Sequence, residues 1–196
     1  MLALGVKHCH DRRIIHRDLK AMNIFMCSNG MAKIGDFGVS SVLARTADMV
    51  QTVNGTPYYM APELFDEVPY SFPADIWSLG ILLYEMCTLQ YPFKPKDGSY
   101  LSLGKLVKRD KYDPLPPMYS DELNILLVNM LDKDPKKRPS INQIFKFPLI
   151  RQNIPAVVSM KVFKDEFSHT ILHKRDVFAD LKSAKKKEGR EGVIQD

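Results

Sequence analysis

The chain has 196 residues, with 28 Lys and Arg against 23 Asp and Glu for a net charge of +5; that length holds one good-sized core plus a tail and excludes a disordered or fibrous polymer. Its longest apolar stretch, Ile76 to Leu89, is too short and too interrupted to span a bilayer, and no secretory leader opens the sequence. Cys9, Cys27 and Cys87 show no metal-ligand spacing, so free thiols in a reducing compartment, the cytoplasm, are the expectation.

Leu2, Val6, Cys9 and His10 recur near helical spacing and read as the end of an amphipathic helix that leads into an extended stretch from Ile14 to Arg17. Two short apolar runs, Asn23 to Met26 and Met31 to Ile34, flank Ser28-Asn29-Gly30 and predict a small hairpin that delivers Asp36 at its exit. From Val39 to Met60 no period persists, as in a surface loop. Asp75 to Met86 is apolar almost all round, which predicts a helix at the domain centre with Asp75 capping its start and Trp77 in the core. Leu123, Leu126, Leu127, Met130 and Leu131 mark a further helix capped by Ser120, and Pro139-Ser140 opens a short one bearing Ile141, Ile144 and Phe145. Beyond Pro148 the periodicity weakens, although Phe167, Ile171, Phe178 and Leu181 leave room for one more helix. The predicted fold is mainly α with one small β-hairpin, divided into a domain over residues 1–150 and a basic tail over 151–196. Lys182, Lys185, Lys186, Lys187 and Arg190 make that tail a solvated end, and no aromatic residues interleave with them, which argues against specific nucleic-acid binding.

The chemistry concentrates in His16-Arg17-Asp18-Leu19-Lys20-Ala21-Met22-Asn23, followed after twelve residues by Asp36-Phe37-Gly38. Phosphoryl transfer needs an acid to accept or orient the acceptor hydroxyl, metal ions on the phosphates and compensation of developing charge. Asp18 supplies the first, Asn23 and Asp36 offer the hard oxygen donors that suit Mg²⁺, and Lys20 reaches toward the transferred phosphate. Gly55-Thr56-Pro57-Tyr58-Tyr59-Met60-Ala61-Pro62-Glu63 and Asp75-Ile76-Trp77-Ser78-Leu79-Gly80 follow in order, and such a joint match is very improbable by chance.

Over residues 1 to about 150 the chain resembles the C-terminal lobe of eukaryotic protein kinases. Asn23-Ile24-Phe25, Gly55-Thr56-Pro57-Tyr58-Tyr59 and Tyr84-Glu85-Met86-Cys87-Thr88-Leu89 before Tyr91-Pro92-Phe93 make it most similar to the NIMA-related Ser/Thr kinases, with kinases of the mitogen-activated kinase-kinase type as the alternative. The resemblance implies ATP and Mg²⁺ as cofactors, protein substrates with Ser or Thr acceptors, and Asp18-Leu19-Lys20 as the Ser/Thr mark. It makes Phe25 the floor under the adenine, sets His16 in a stack under Phe37 rather than as a base, and places Thr56 in hydrogen-bond reach of Asp18 and Lys20. It assigns Asp75 to support the catalytic loop from behind and Glu63 to an ion pair with Arg138. Arg17 needs an anion, and a phosphate on Thr52, placed there by an upstream kinase or by autophosphorylation, would order the loop by pairing with it. A centrosomal, ciliary or cytoskeletal association follows from the same analogy.

The family's glycine loop and its β3 lysine match no string in the 196 residues. Three readings follow: a fragment of an active kinase, a non-catalytic lobe that docks substrates or regulators, or one half of a pair completed by another chain. In each the surface that would face the upper lobe is left for a partner to cover.

Overall fold

The computed structural model describes residues 1–36 and 57–159. Phe37, Gly38, the loop from Val39, Thr52 and Thr56, and the tail from residue 160 lie outside the described residues.

Helix α1 spans Leu2–Asp11 and buries Val6, Lys7 and Cys9. Burying a lysine is costly unless its charge is met. Here the Lys7 ammonium donates to Asp11 at 2.7 Å and to Asn142 at 2.6 Å, which ties α1 to a helix far along the chain. Strands β1 (Ile24–Met26) and β2 (Ala32–Ile34) pair antiparallel with Phe25 opposite Lys33, as the two apolar runs predict. Gly30 donates to the Cys27 carbonyl at 2.9 Å and closes the turn between them.

Helix α2 runs Phe72–Thr88, three residues earlier than the sequence expectation. Ser71 rather than Asp75 holds the cap position, because Pro73, which has no amide hydrogen to leave unpaired, fits the first turn. Every residue from Ala74 to Leu82 is buried. Trp77 is fully buried and stacks on Phe93 with centroids 6.0 Å apart, while the guanidinium of Arg138 lies 5.0 Å from its ring. A Cβ on Gly80 would fall 2.8 Å from Leu131, so this glycine is what lets the end of the helix Asp121–Met130 approach so closely.

Helix α3 (Tyr100–Arg109) is absent from the sequence reading. Its buried face is only Leu103, Gly104 and Val107, too small an apolar stripe to stand out among lysines, and its clearest signal is Ser99, whose hydroxyl accepts from the Ser102 amide at 3.2 Å. Helix α4 (Asp121–Met130) is capped by Ser120 and α5 (Ile141–Ile144) by a capping box between Ser140 and Gln143, both where the sequence puts a cap. Helix α6 (Pro148–Val157) follows with Pro155 inside it and no buried residue, which is why hydrophobic periodicity does not find it. No helix among the described residues is long and apolar enough to cross a membrane.

Candidate active site

The segment between α1 and β1 is extended and short of regular structure, so its conformation must be imposed from outside. Asp75, fully buried on α2, does this: one carboxylate oxygen accepts from the His16 amide at 2.8 Å, the other from the Arg17 amide at 3.0 Å. His10 of α1 donates Nε2–H to the same carboxylate at 2.9 Å and packs edge-on against Phe72, 4.8 Å between centroids. Arg17 is held at φ 71, a left-handed conformation that costs a non-glycine residue on the order of 1–3 kcal/mol. Three hydrogen bonds to one buried carboxylate offset that cost.

His16 is buried and bridges two loops. Its Nδ1 accepts from the Asp18 amide at 3.3 Å and its Nε2–H donates to the Gly35 carbonyl at 3.1 Å, so both ring nitrogens are committed and the ring is no free base. The Gly35 amide in turn donates to the Asn23 carbonyl at 2.9 Å. Asp36 follows at φ 63, the sharp turn by which the backbone leaves β2.

Within this frame Asp18, Lys20 and Asn23 meet. The Lys20 ammonium lies 2.7 Å from the Asp18 carboxylate, and the Asn23 amide nitrogen donates to that carboxylate at 2.9 Å and to the Asp18 carbonyl at 2.7 Å. Asn23 is buried and sits in a 3-10 turn, Ala21–Asn23, directly before β1. With its nitrogen committed to Asp18, its remaining polar atom is the carbonyl oxygen, a hard donor of the kind that suits Mg²⁺. Phe25 on β1 is 56 % exposed, and a Cβ on Gly35 would fall 2.5 Å from its ring, so the glycine leaves room for the aromatic.

Glu63 and Arg138, 75 residues apart, form a bidentate pair at 2.8 and 2.6 Å. The remaining guanidinium donors reach the carbonyls of Asp132 at 2.8 Å, Pro73 at 3.0 Å and Lys133 at 3.4 Å, so all five N–H groups have acceptors. Glu63 lies in a second 3-10 turn, Pro62–Asp66, on the segment that re-enters after residue 56.

Two residues of the site, His10 and Tyr59, are given no role by the sequence, and His16 is read there only as a stacking ring. His10 and His16 act through hydrogen bonds that no spacing announces. Tyr59 donates its hydroxyl to Glu85 and accepts from the Ala21 amide at 3.2 Å, while Ser78 donates to the Tyr59 carbonyl at 2.8 Å; the segment after residue 56 is thereby fastened to both the catalytic loop and α2. Burial and the Glu85 carboxylate push the Tyr59 phenol far above its ordinary pKa, so it remains a donor. Its signal in the sequence is only its place in the Gly55-Thr56-Pro57-Tyr58-Tyr59 string.

Residues 1–150 match the protein kinase domain model. The chain belongs to the protein kinase family. As a protein kinase chain it is 44 % identical over 172 residues to human serine/threonine-protein kinase Nek5, 38 % over 173 residues to mouse Nek1 and 44 % over 153 residues to mouse Nek11. These alignments cover 87 %, 88 % and 78 % of this kinase chain but only 24 %, 14 % and 24 % of those proteins, so it spans a quarter or less of the length of these three relatives. The resemblance to NIMA-related kinases and the helix-rich lobe with its two-stranded sheet are borne out.

Proposed function

We propose that the chain carries the phosphoryl-transfer residues of an ATP- and Mg²⁺-dependent Ser/Thr protein kinase, acting on protein hydroxyls. The observation that carries this reading is the Asp18 carboxylate held between Lys20 and Asn23, with Asn23 hydrogen-bonded through its backbone to the residue before Asp36. Asp18 orients the acceptor hydroxyl and takes its proton; Lys20 lies 2.7 Å from that carboxylate and so stands beside the oxygen where negative charge develops. Asn23 and Asp36 would hold Mg²⁺, which when bound neutralises charge on the ATP phosphates. Phe25 offers an apolar face to the adenine. Positioning is most of the work in this reaction, and the hydrogen bonds from Asp75, His10 and His16 fix the loop before any ligand arrives.

Thr56 is assigned to the acceptor side of the site and phospho-Thr52 to pairing with Arg17, both from the family resemblance. A cytoplasmic protein with centrosomal or ciliary association fits the Nek relatives. The test is calorimetric titration of Mg²⁺-ATP into the 196-residue chain and Asp36→Ala, followed by phosphate transfer to Ser, Thr and Tyr peptides. Binding lost in Asp36→Ala, with transfer to Ser or Thr alone, supports the reading. No binding by the unaltered chain, or binding that ignores Asp36, refutes it for this chain and leaves a docking role.

A further inference from the structure

Two lysines lose water in this fold, and the loss is met differently at each. Lys7 is fully buried, and its ammonium has the Asp11 carboxylate and the side-chain carbonyl of Asn142. Lys133, half-buried between α4 and α5, pairs with no carboxylate among the described residues. It donates to the Val107 carbonyl at 2.5 Å and lies 3.9 Å from the centroid of Phe93 and 5.2 Å from that of Trp77. The Arg138 guanidinium stands 5.0 Å from the same Trp77 ring, and both oxygens of Glu63 are engaged by that guanidinium. Two cations thus share one indole, and the carboxylate there belongs to Arg138.

An amine in this position is easily deprotonated and so made nucleophilic, since removal from water and a neighbouring cation both disfavour its charged form. Burial, opposed by the exposed Asp110 and aided by Arg138, pushes the Lys133 amine down to about 8. A second group beside it lacks what it needs. The Trp77 indole N–H is buried and finds no acceptor among the described residues.

We propose that Lys133 Nζ is an acylation site that takes an acetyl-sized group from an acyl thioester, with the acyl oxygen accepting from the Trp77 indole N–H. The free amine attacks the thioester carbonyl carbon and a C–N bond forms. The C–S bond breaks with its electron pair on sulfur, and the proton shed by nitrogen goes to the departing thiolate. During attack nitrogen gains positive charge, which the Val107 carbonyl and the Phe93 face stabilise. The product amide keeps one N–H for Val107, removes the half-buried charge and brings an acceptor to the indole. Methylation would do neither of the last two, because it leaves the charge and adds no oxygen. Val107 is among the last four carbonyls of α3, so acylation exchanges a charged contact at the negative end of that helix for a neutral one. The site shares no residue with the phosphoryl-transfer group and stands whether or not the chain transfers phosphate.

The test is incubation of the full chain with acetyl-CoA at about pH 7.5, in buffer and in urea, with acetylation of each lysine followed by mass spectrometry. At that pH an amine titrating at about 8 holds roughly two-hundredfold more free base than an ordinary lysine, and its weaker basicity brings the expected advantage to about tenfold. Lys133 should therefore be acetylated about tenfold faster than the exposed Lys136 and Lys137 in the folded chain, and no faster than they are in urea. The chain has a single tryptophan, so its one indole N–H resonance should shift as Lys133 is acetylated and stay in place in Lys133→Arg treated alike, with a circular dichroism melt confirming the fold of that variant. Acetylation of Lys133 no faster than of Lys136 and Lys137, or an advantage that persists in urea, overturns the proposal. An indole resonance unmoved by acetylation overturns the placing of the acyl oxygen.

Discussion

Replacing Asp75 with Asn keeps the shape of the side chain and removes its charge, which isolates what the carboxylate does for the catalytic loop. One oxygen accepts from the His16 amide and the His10 ring, the other from the Arg17 amide. An amide side chain can satisfy only one of these two sides. In its better orientation the carbonyl faces His16 and His10 while the NH₂ is set against the Arg17 amide, donor against donor. The lost charge-assisted hydrogen bond is worth about 1.5–3 kcal/mol and the stranded buried donors about 1–3 more. Relaxation of Arg17 from its left-handed conformation returns part of this, of order 1 kcal/mol. A net loss of about 2–4 kcal/mol lowers the melting temperature of a chain this size by roughly 4–16 °C. Differential scanning calorimetry measures that loss, and amide exchange at His16 and Arg17 localises it. A melting temperature within about 2 °C of the unaltered chain, with the Arg17 amide still protected, would refute the account.

Arg138→Met removes the cation that meets the buried Glu63, and urea unfolding is expected to show a loss of about 3–5 kcal/mol, as when one partner of a buried pair is removed. Tyr59→Phe removes the hydroxyl shared by Glu85 and Ala21; the expected cost is about 1–2 kcal/mol in stability, and faster amide exchange at Ala21 distinguishes it from a mere loss of packing. Burial lowers the Lys133 ammonium to about 8 despite the Phe93 ring 3.9 Å away. Unfolded chains therefore hold more protons at this residue from about pH 8 to its unfolded value near 10.4, and stability contributed here rises with pH across that window. Lys133→Met should flatten the rise, as followed by chemical denaturation at a series of pH values.

What the sequence could announce was what repeats or what chemistry constrains by residue type. The hairpin was legible because two apolar runs bracket a turn, α4 and α5 because serine caps precede apolar stripes, and the central helix because it is apolar all round. Asp18, Lys20 and Asn23 were legible as a motif, and they do lie together. The start of the central helix was misread because an acid near a helix start looks like a cap, whereas Asp75 sits one turn inside and spends its carboxylate on another segment. Helix α3 was missed because its inward face is three residues wide and one of them is glycine. His10, His16 and Tyr59 owe their roles to partners 19 to 65 residues away, and nothing local encodes such a bond.

The pairing of Glu63 with Arg138 has a consequence for how the chain is made. At about 5–20 residues per second, synthesis of the 75 residues between them takes roughly 4–15 s. Throughout that interval Glu63 has no guanidinium to meet, so it must stay hydrated, and the turn that carries it cannot settle against the start of α2. Leu64, Ala74 and Trp77, all destined for the core, are meanwhile already off the ribosome and lack the partners from α3 and α4 that cover them. The nascent lobe thus passes through a period of several seconds in which its central helix offers an apolar surface to whatever is near. A chaperone that holds the segment from Glu63 to Leu83 until Arg138 emerges would protect this fold when it is most exposed to aggregation.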